Sequence, residues 1–146
     1  SSSSSEGYLL QASSTNFDGS GITLSTSTAD VTENALSIYG LTVNTTYFFR
    51  VGSLNGLGGA NFTSAGSTST LTNPVSSQVI DQVLISSIQV SWTLPVGGAE
   101  GFIVQASTSS NYTGVVLSSQ STSGSMTSLT AQGLDANTTY FLRVGA

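Results

Sequence analysis

The sequence predicts an all-β chain built as two tandem copies of one unit, and three observations carry that prediction. First, a stretch is written twice, Leu41 to Gly52 (LTVNTTYFFRVG) and Leu134 to Gly145 (LDANTTYFLRVG), 93 residues apart. Each copy has Leu, Tyr six residues on, Arg three further, and then Val-Gly. A period of that length in 146 residues favours two small domains over one. Second, apolar and polar residues alternate in short runs, the period of a half-buried strand, and no helical periodicity appears. Third, Ser and Thr supply 49 residues and charged side chains only 6%, yet hydrophobics reach 38%, too many for a disordered polar tract. Thr, Val, Ile, Tyr and Phe all suit a pleated surface.

Taken in order, Glu6 to Ser13 reads as a strand with Tyr8, Leu10 and Ala12 inward and Leu9 and Gln11 outward. Asn16 to Gly21 is a turn cluster, followed by a short strand from Ile22 to Ser27 and a loop from Asp30 to Asn34. Ala35 to Tyr39 reads as a strand ended by Gly40. Leu41 to Thr46 forms a corner, and Tyr47 to Leu54 a strand. Asn55 to Gly59 is a loop rich in turn residues, and Ala60 to Thr72 an extended edge strand. Asn73-Pro74 marks a boundary, giving units 1–73 and 74–146. Val79 to Leu84 and Ser87 to Leu94 read as strands, the second carrying the single Trp, Trp92. Pro95 to Gly98 turns the chain, after which the first half replays. Glu100 to Ser107 answers Glu6 to Ser13, and Asn111-Tyr112 answers Asn16-Phe17.

These residues resemble the fibronectin type III domain. That resemblance implies two sheets, A-B-E and C-C′-F-G, in each unit. Trp92 matches the family's strand B Trp, and Tyr8 and Phe102 match strand C. Leu41 with Tyr47, and Leu134 with Tyr140, match its tyrosine corner, in which the ring enters the core and the hydroxyl bonds the backbone a few residues upstream. On this alignment the first unit lacks strands A and B and the second lacks strand G. The fold class expected is therefore tandem fibronectin type III-like, or immunoglobulin-like, β-sandwiches, both incomplete within this chain. Two full units need roughly twice 93 residues, about 40 more than the 146 present. A half-sandwich exposes an apolar face and unpaired edges, so the segment is expected to be a window from a longer array or to borrow strands from a neighbour. Ser1 to Ser5 read as a linker or a fragment edge.

The absences exclude whole classes of function. Without Cys there is neither a disulfide framework nor a thiolate nucleophile. Without His the commonest general base and metal ligand are missing. Arg50 and Arg143 are the only basic residues and the net charge is -5, which rules against a nucleic-acid backbone or an anionic membrane. No apolar run approaches a spanning segment, so membrane insertion is not expected. Glu6, Asp18, Asp30, Glu33, Asp81, Glu100 and Asp135 are scattered. They form no pair fit for glycoside hydrolysis and no calcium-binding cluster. The many serines include no nucleophile elbow, and Gly56, Gly58 and Gly59 lack the Lys and helix of a phosphate loop. No catalytic residue, metal or cofactor is expected.

Two sets of candidate sites remain. Asn44, Asn61, Asn111 and Asn137 each head an N-x-T triplet and are candidate glycosylation sites, with Asn44 and Asn137 also serving the corner turn. Strand parity supplies the second set. If Tyr47, Phe49 and Val51 face inward, Phe48 and Arg50 face outward, as do Phe141 and Arg143 in the second unit. With Leu9 and Ile103 on the neighbouring strand, each unit exposes an aliphatic-aromatic pair, Leu9 with Phe48 and Ile103 with Phe141. Gln11, Gln105, Arg50 and Arg143 edge the same face. This face is a candidate interface with adjacent repeats or neighbouring copies of the protein. The function expected is structural: a segment of an extracellular or cell-surface fibre, sheath or stalk. The alternatives are an adhesion or ligand-binding module and a spacer of a secreted polysaccharide-degrading enzyme.

Overall fold

The computed structural model describes residues 6–146, so the opening serine run expected as a linker lies outside the described residues. Two compact units meet between Leu71 and Thr72. Every regular element in the described residues is a strand.

Unit 1 is one antiparallel sheet. Its strands are β1 (Tyr8–Ser13), β2 (Thr23–Thr28), β3 (Thr46–Leu54) and β4 (Ala60–Ser69), in the order β2-β1-β3-β4. Unit 2 has two sheets. β5 (Ser76–Val83), β6 (Ser87–Thr93) and β9 (Ser128–Gln132) form one, ordered β5-β6-β9, while β7 (Phe102–Ser107), β8 (Val116–Ser121) and β10 (Phe141–Gly145) form the other, ordered β10-β7-β8. The chain is thus all-β, with the sheet composition of a fibronectin type III-like sandwich in unit 2 and of its C′-C-F-G sheet in unit 1.

The core sits in unit 2. Val90 and Trp92 on β6 meet Phe102, Val104 and Ala106 on β7, with Val75, Ala131 and Leu134 closing the cluster. Trp92 and Phe102 pack at 5.2 Å between ring centroids and 47° between planes. Each such Val or Phe removed from water contributes roughly 1.5–3 kcal/mol. Among the described residues of unit 1, Ala12 and Tyr47 are the buried apolar side chains.

The repeated stretch forms the expected corner twice. Thr42 N–H donates to Tyr47 Oη at 3.1 Å, and Asp135 N–H donates to Tyr140 Oη at 3.0 Å. The corner demands left-handed backbone at two positions. Gly40 and Gly133 take φ of 80° and 77°, and Asn44 and Asn137 take 48° and 55°. Gly and Asn adopt that region at the lowest cost, which explains both spacings.

Two expectations are corrected. Ala35 to Tyr39 is not a strand in unit 1, although its counterpart Ser128–Gln132 is β9. β9 exists because it pairs with β6 through Ser87↔Gln132 to Ser91↔Ser128, and no described strand offers that partner to residues 35–39. Val51, expected inward, is 38% exposed. It lines a groove of about 490 Å³ together with Tyr8, Leu10 and residues 33–36.

Candidate functional site

The feature that both units build is a row of side chains on the outward face of β1 with β3, and of β7 with β10. Gln11 and Arg50 are direct register partners, and so are Gln105 and Arg143. Gln11 Oε1 accepts hydrogen bonds from Arg50 Nε at 2.8 Å and Nη2 at 2.7 Å. Gln105 Oε1 accepts one from Arg143 Nε at 2.7 Å. A neutral carbonyl thus accepts from each cation, and aromatic rings complete the setting. The Arg50 guanidinium carbon lies 3.9 Å from the ring centres of both Phe17 and Phe62. That of Arg143 lies 3.9 Å from the Tyr112 ring centre. A planar guanidinium stacks on such faces in a way an ammonium cannot.

Local structure delivers each ring. Phe17 and Tyr112 sit in the loops after β1 and β7, both in left-handed backbone at φ of 62° and 59°. For a bulky residue that geometry costs about 1–2 kcal/mol, and ring-on-guanidinium contact offsets part of it. The buried Ser13 pins the first loop, its Oγ accepting from the N–H groups of Thr15 (3.2 Å) and Phe17 (3.0 Å). Ser107 does the same for Ser109 N–H at 3.2 Å. A carboxylate or amide then closes each loop. Asp18 Oδ1 accepts from Thr15 Oγ1, Ser20 Oγ and Ser20 N–H. Asn111 Oδ1 accepts from Ser109 Oγ, Thr113 Oγ1 and Thr113 N–H. Those bonds, Thr15 first and then Ser20, hold Asp18 down at a pKa of about 2. Thr32 likewise lowers Asp30, through its side chain and then its backbone. Hydrogen bonds from Thr42 lower the Tyr47 hydroxyl.

Phe62 comes from β4, where it is the register partner of Gly52. A Cβ on Gly52 would meet the Phe62 ring at 3.0 Å and Ala60 Cβ at 3.1 Å. The glycine of the Arg-Val-Gly motif therefore makes room for the ring that reaches Arg50. In the second copy a Cβ on Gly145 would meet Ile103 Cγ2 at 3.1 Å.

The members of each aliphatic-aromatic pair expected on this face lie on neighbouring strands but are not register partners. Leu9 faces Gly52 and Phe48 faces Ser13, with Gln11–Arg50 between them. Ile103 faces Gly145 and Phe141 faces Ser107, with Gln105–Arg143 between. Phe48 and Gly52 are four positions apart, roughly 13 Å along a strand. Leu9, Phe48 and Ile103 are half-buried, and Phe141 is 44% exposed. Phe17, Phe62 and Tyr112 also belong to this face, stacked on its arginines. The sequence signal for Phe17 and Tyr112 was an aromatic after Asn at one position of both copies; no sequence signal singled out Phe62.

The four sequon asparagines are dispersed. Asn44 is half-buried in the corner, with its N–H on Leu71 O at 3.2 Å. Asn61 lies on β4 opposite Ser53, Asn111 closes the β7–β8 loop and Asn137 sits in the second corner; all three are exposed. Among the described residues, no three His, Cys, Asp or Glu side chains group to hold a metal, and no helix is long and apolar enough to cross a membrane. Chemically, the repeated site offers stacking and hydrogen-bond donors rather than an acid, base or nucleophile.

The sheets, corner and buried Trp define the class of fold, a fibronectin type III-like β-sandwich. Among solved structures, a two fibronectin type-III domain segment from chicken tenascin is similar to this chain at 18% identity and a TM-score of 0.50, over 99% of this chain and 77% of that one. The FN1–FN3 domains of chicken CNTN1 are similar at 18% identity and a TM-score of 0.46, over 94% of this chain and 47% of that one. No family model and no curated protein matches the sequence.

Proposed function

We propose that the chain is a non-catalytic structural segment of an extracellular or cell-surface protein, built from tandem β-sandwiches and working in a fibre, sheath or stalk. The observation that carries this reading is the Gln–Arg–aromatic row repeated on the same sheet face of both units. A surface that recurs with the repeat is what a periodic assembly requires. Its chemistry, a guanidinium held between π faces and an amide oxygen, suits packing against adjacent repeats or neighbouring copies. On this reading Leu9, Phe48, Arg50, Ile103, Phe141 and Arg143 lie in that contact. Asn61, Asn111 and Asn137 are the accessible glycan acceptors in a glycosylating host. The likeness to a tenascin segment supports the fold on which the reading rests and nothing finer.

Gold-labelled antibody against residues 6–146, applied to the native source, tests the proposal. Labels at a regular spacing along a surface filament or sheath are expected. Label confined to a soluble secreted hydrolase would overturn it in favour of the spacer, and label on isolated surface receptors would favour an adhesion module.

A further inference from the structure

We propose that Asn55 is a site of self-modification: the loop between β3 and β4 promotes attack of the Gly56 nitrogen on the Asn55 side-chain amide, which turns Asn55 into aspartate or isoaspartate with water as co-reactant. The sequence places this chemistry at one point. Of the eight asparagines, Asn55 alone is followed by glycine. With no Cβ, Gly56 lets its nitrogen approach the preceding side chain without obstruction. Both residues are exposed, so water can enter and ammonia can leave.

The loop holds the amide in the polarity the reaction needs. Asn55 Oδ1 accepts from Leu57 N–H at 3.0 Å and from Gly59 N–H at 2.8 Å. Negative charge collects on that oxygen when a nitrogen adds to Cγ, so the two donors serve the tetrahedral intermediate as an oxyanion hole does. Asn55 Nδ2, the leaving group, and the Gly56 N–H, the attacking one, have no hydrogen-bond partner among the described residues. The backbone around them is fixed, with Asn55 N–H on Gly59 O at 3.0 Å and Gly58 N–H on Asn55 O at 2.9 Å. Glu6 supplies a carboxylate beside the attacking residue. Its N–H donates to Leu54 O at 2.8 Å, and a Cβ on Gly56 would meet its Oε1 at 2.9 Å. In the first step Gly56 N gives its proton to that carboxylate and bonds to Asn55 Cγ. The Cγ–Nδ2 bond then breaks, and Nδ2 leaves as ammonia carrying the same proton. Water opens the succinimide at either carbonyl. The product adds one negative charge to a loop already flanked by Glu6, and the isoaspartate form lengthens the backbone within the turn. This holds whether or not the chain serves in a fibre.

The test incubates the full chain at neutral pH beside a synthetic peptide of residues 53–60, which has the Asn-Gly pair without the folded loop. Mass spectrometry of digested samples follows conversion at position 55. The chain should convert roughly tenfold faster than the peptide, less than a buried oxyanion hole would give because solvent screens the loop. The other seven asparagines should stay unchanged over the same period. Glu6→Gln should slow conversion several-fold while the amide signals of residues 55–59 keep their positions. A rate in the chain equal to or below that of the peptide overturns the proposal. So does a Glu6→Gln chain that converts as fast as the parent.

Discussion

Tyr8 and Leu10 in unit 1 occupy the positions of Phe102 and Val104 in unit 2, yet the first two are half-buried while Phe102 is 3% exposed and Val104 fully buried. The strands that carry them pair in the same register with the strand that carries the Arg-Val-Gly motif. What differs is what lies over them. In unit 2, β6 brings Val90 and Trp92 across and gives β9 a partner. In unit 1 the inner face meets residues 33–36, a segment held by no ladder, and Tyr39 is 84% exposed. The sheet of unit 1 thus has the register of its counterpart in unit 2 while its inner face is less buried. The second sheet is needed for burial and for the strand at 35–39.

The comparison breaks most directly at Trp92. Trp92→Ala should destabilise unit 2 by about 3–5 kcal/mol, the usual cost of emptying a buried indole site. Unit 1, which shares none of that core, should keep its transition. Thermal unfolding followed by circular dichroism, with the Arg50 Nε–H signal as a reporter of unit 1, checks both halves. Loss of both units together would show that unit 1 depends on the unit 2 core. Next in size are the corners. Tyr47→Phe leaves Thr42 N–H without its acceptor at a buried ring, and about 1 kcal/mol should be lost. Tyr140→Phe, at a half-buried ring, should cost less. Denaturant titration of the two variants ranks them.

Much of this architecture was legible because it is local. The Leu, Gly, Asn and Tyr of the corner act within a few residues of one another. Strand parity follows from a period of two, and a single Trp among alternating residues marks the inner face of β6. Two features were not legible, and both are non-local. Ala35 to Tyr39 carries a strand pattern, but a ladder needs a second strand, which residue identity cannot supply. The setting of Arg50 joins Phe17, Gln11 and Phe62, which lie 33, 39 and 12 residues away. Parity put Gln11 and Arg50 on one face. The aromatic partners come from a loop and from a neighbouring strand, whose reach depends on Gly52 having no side chain.

A smaller effect separates the two arginines. Phe62→Ala should give Arg50 the one-ring setting that Arg143 has, at about 1–2 kcal/mol from lost stacking and burial. Its Nε–H resonance should move toward that of Arg143. Arg50→Lys should cost more than Arg143→Lys, since the first loses two ring contacts and the second one. Equal costs would mean that Phe62 contributes packing but no stacking.

The smallest effect concerns acid. The loop that carries Phe17 is closed by Asp18, whereas the loop that carries Tyr112 is closed by Asn111, which does not titrate. The Asp18 carboxylate is held at about 2, below the ordinary value of 3.8, by accepting bonds from Thr15 and Ser20. A carboxyl depressed in the folded state stabilises that state above the ordinary value and loses the contribution as pH falls through the folded one. Loop closure in unit 1 should therefore weaken between about pH 4 and pH 2, while the unit 2 loop stays unchanged. The group is solvent-exposed, so the effect should be local rather than global. It should appear as a drift of the Arg50 Nε–H resonance, as Phe17 loosens over the guanidinium, with the Arg143 resonance steady. Asp18→Asn, which copies the amide of the second loop, should remove the drift. A drift of equal size at both arginines, or one that persists in the Asn variant, would assign the acid response to some other carboxylate.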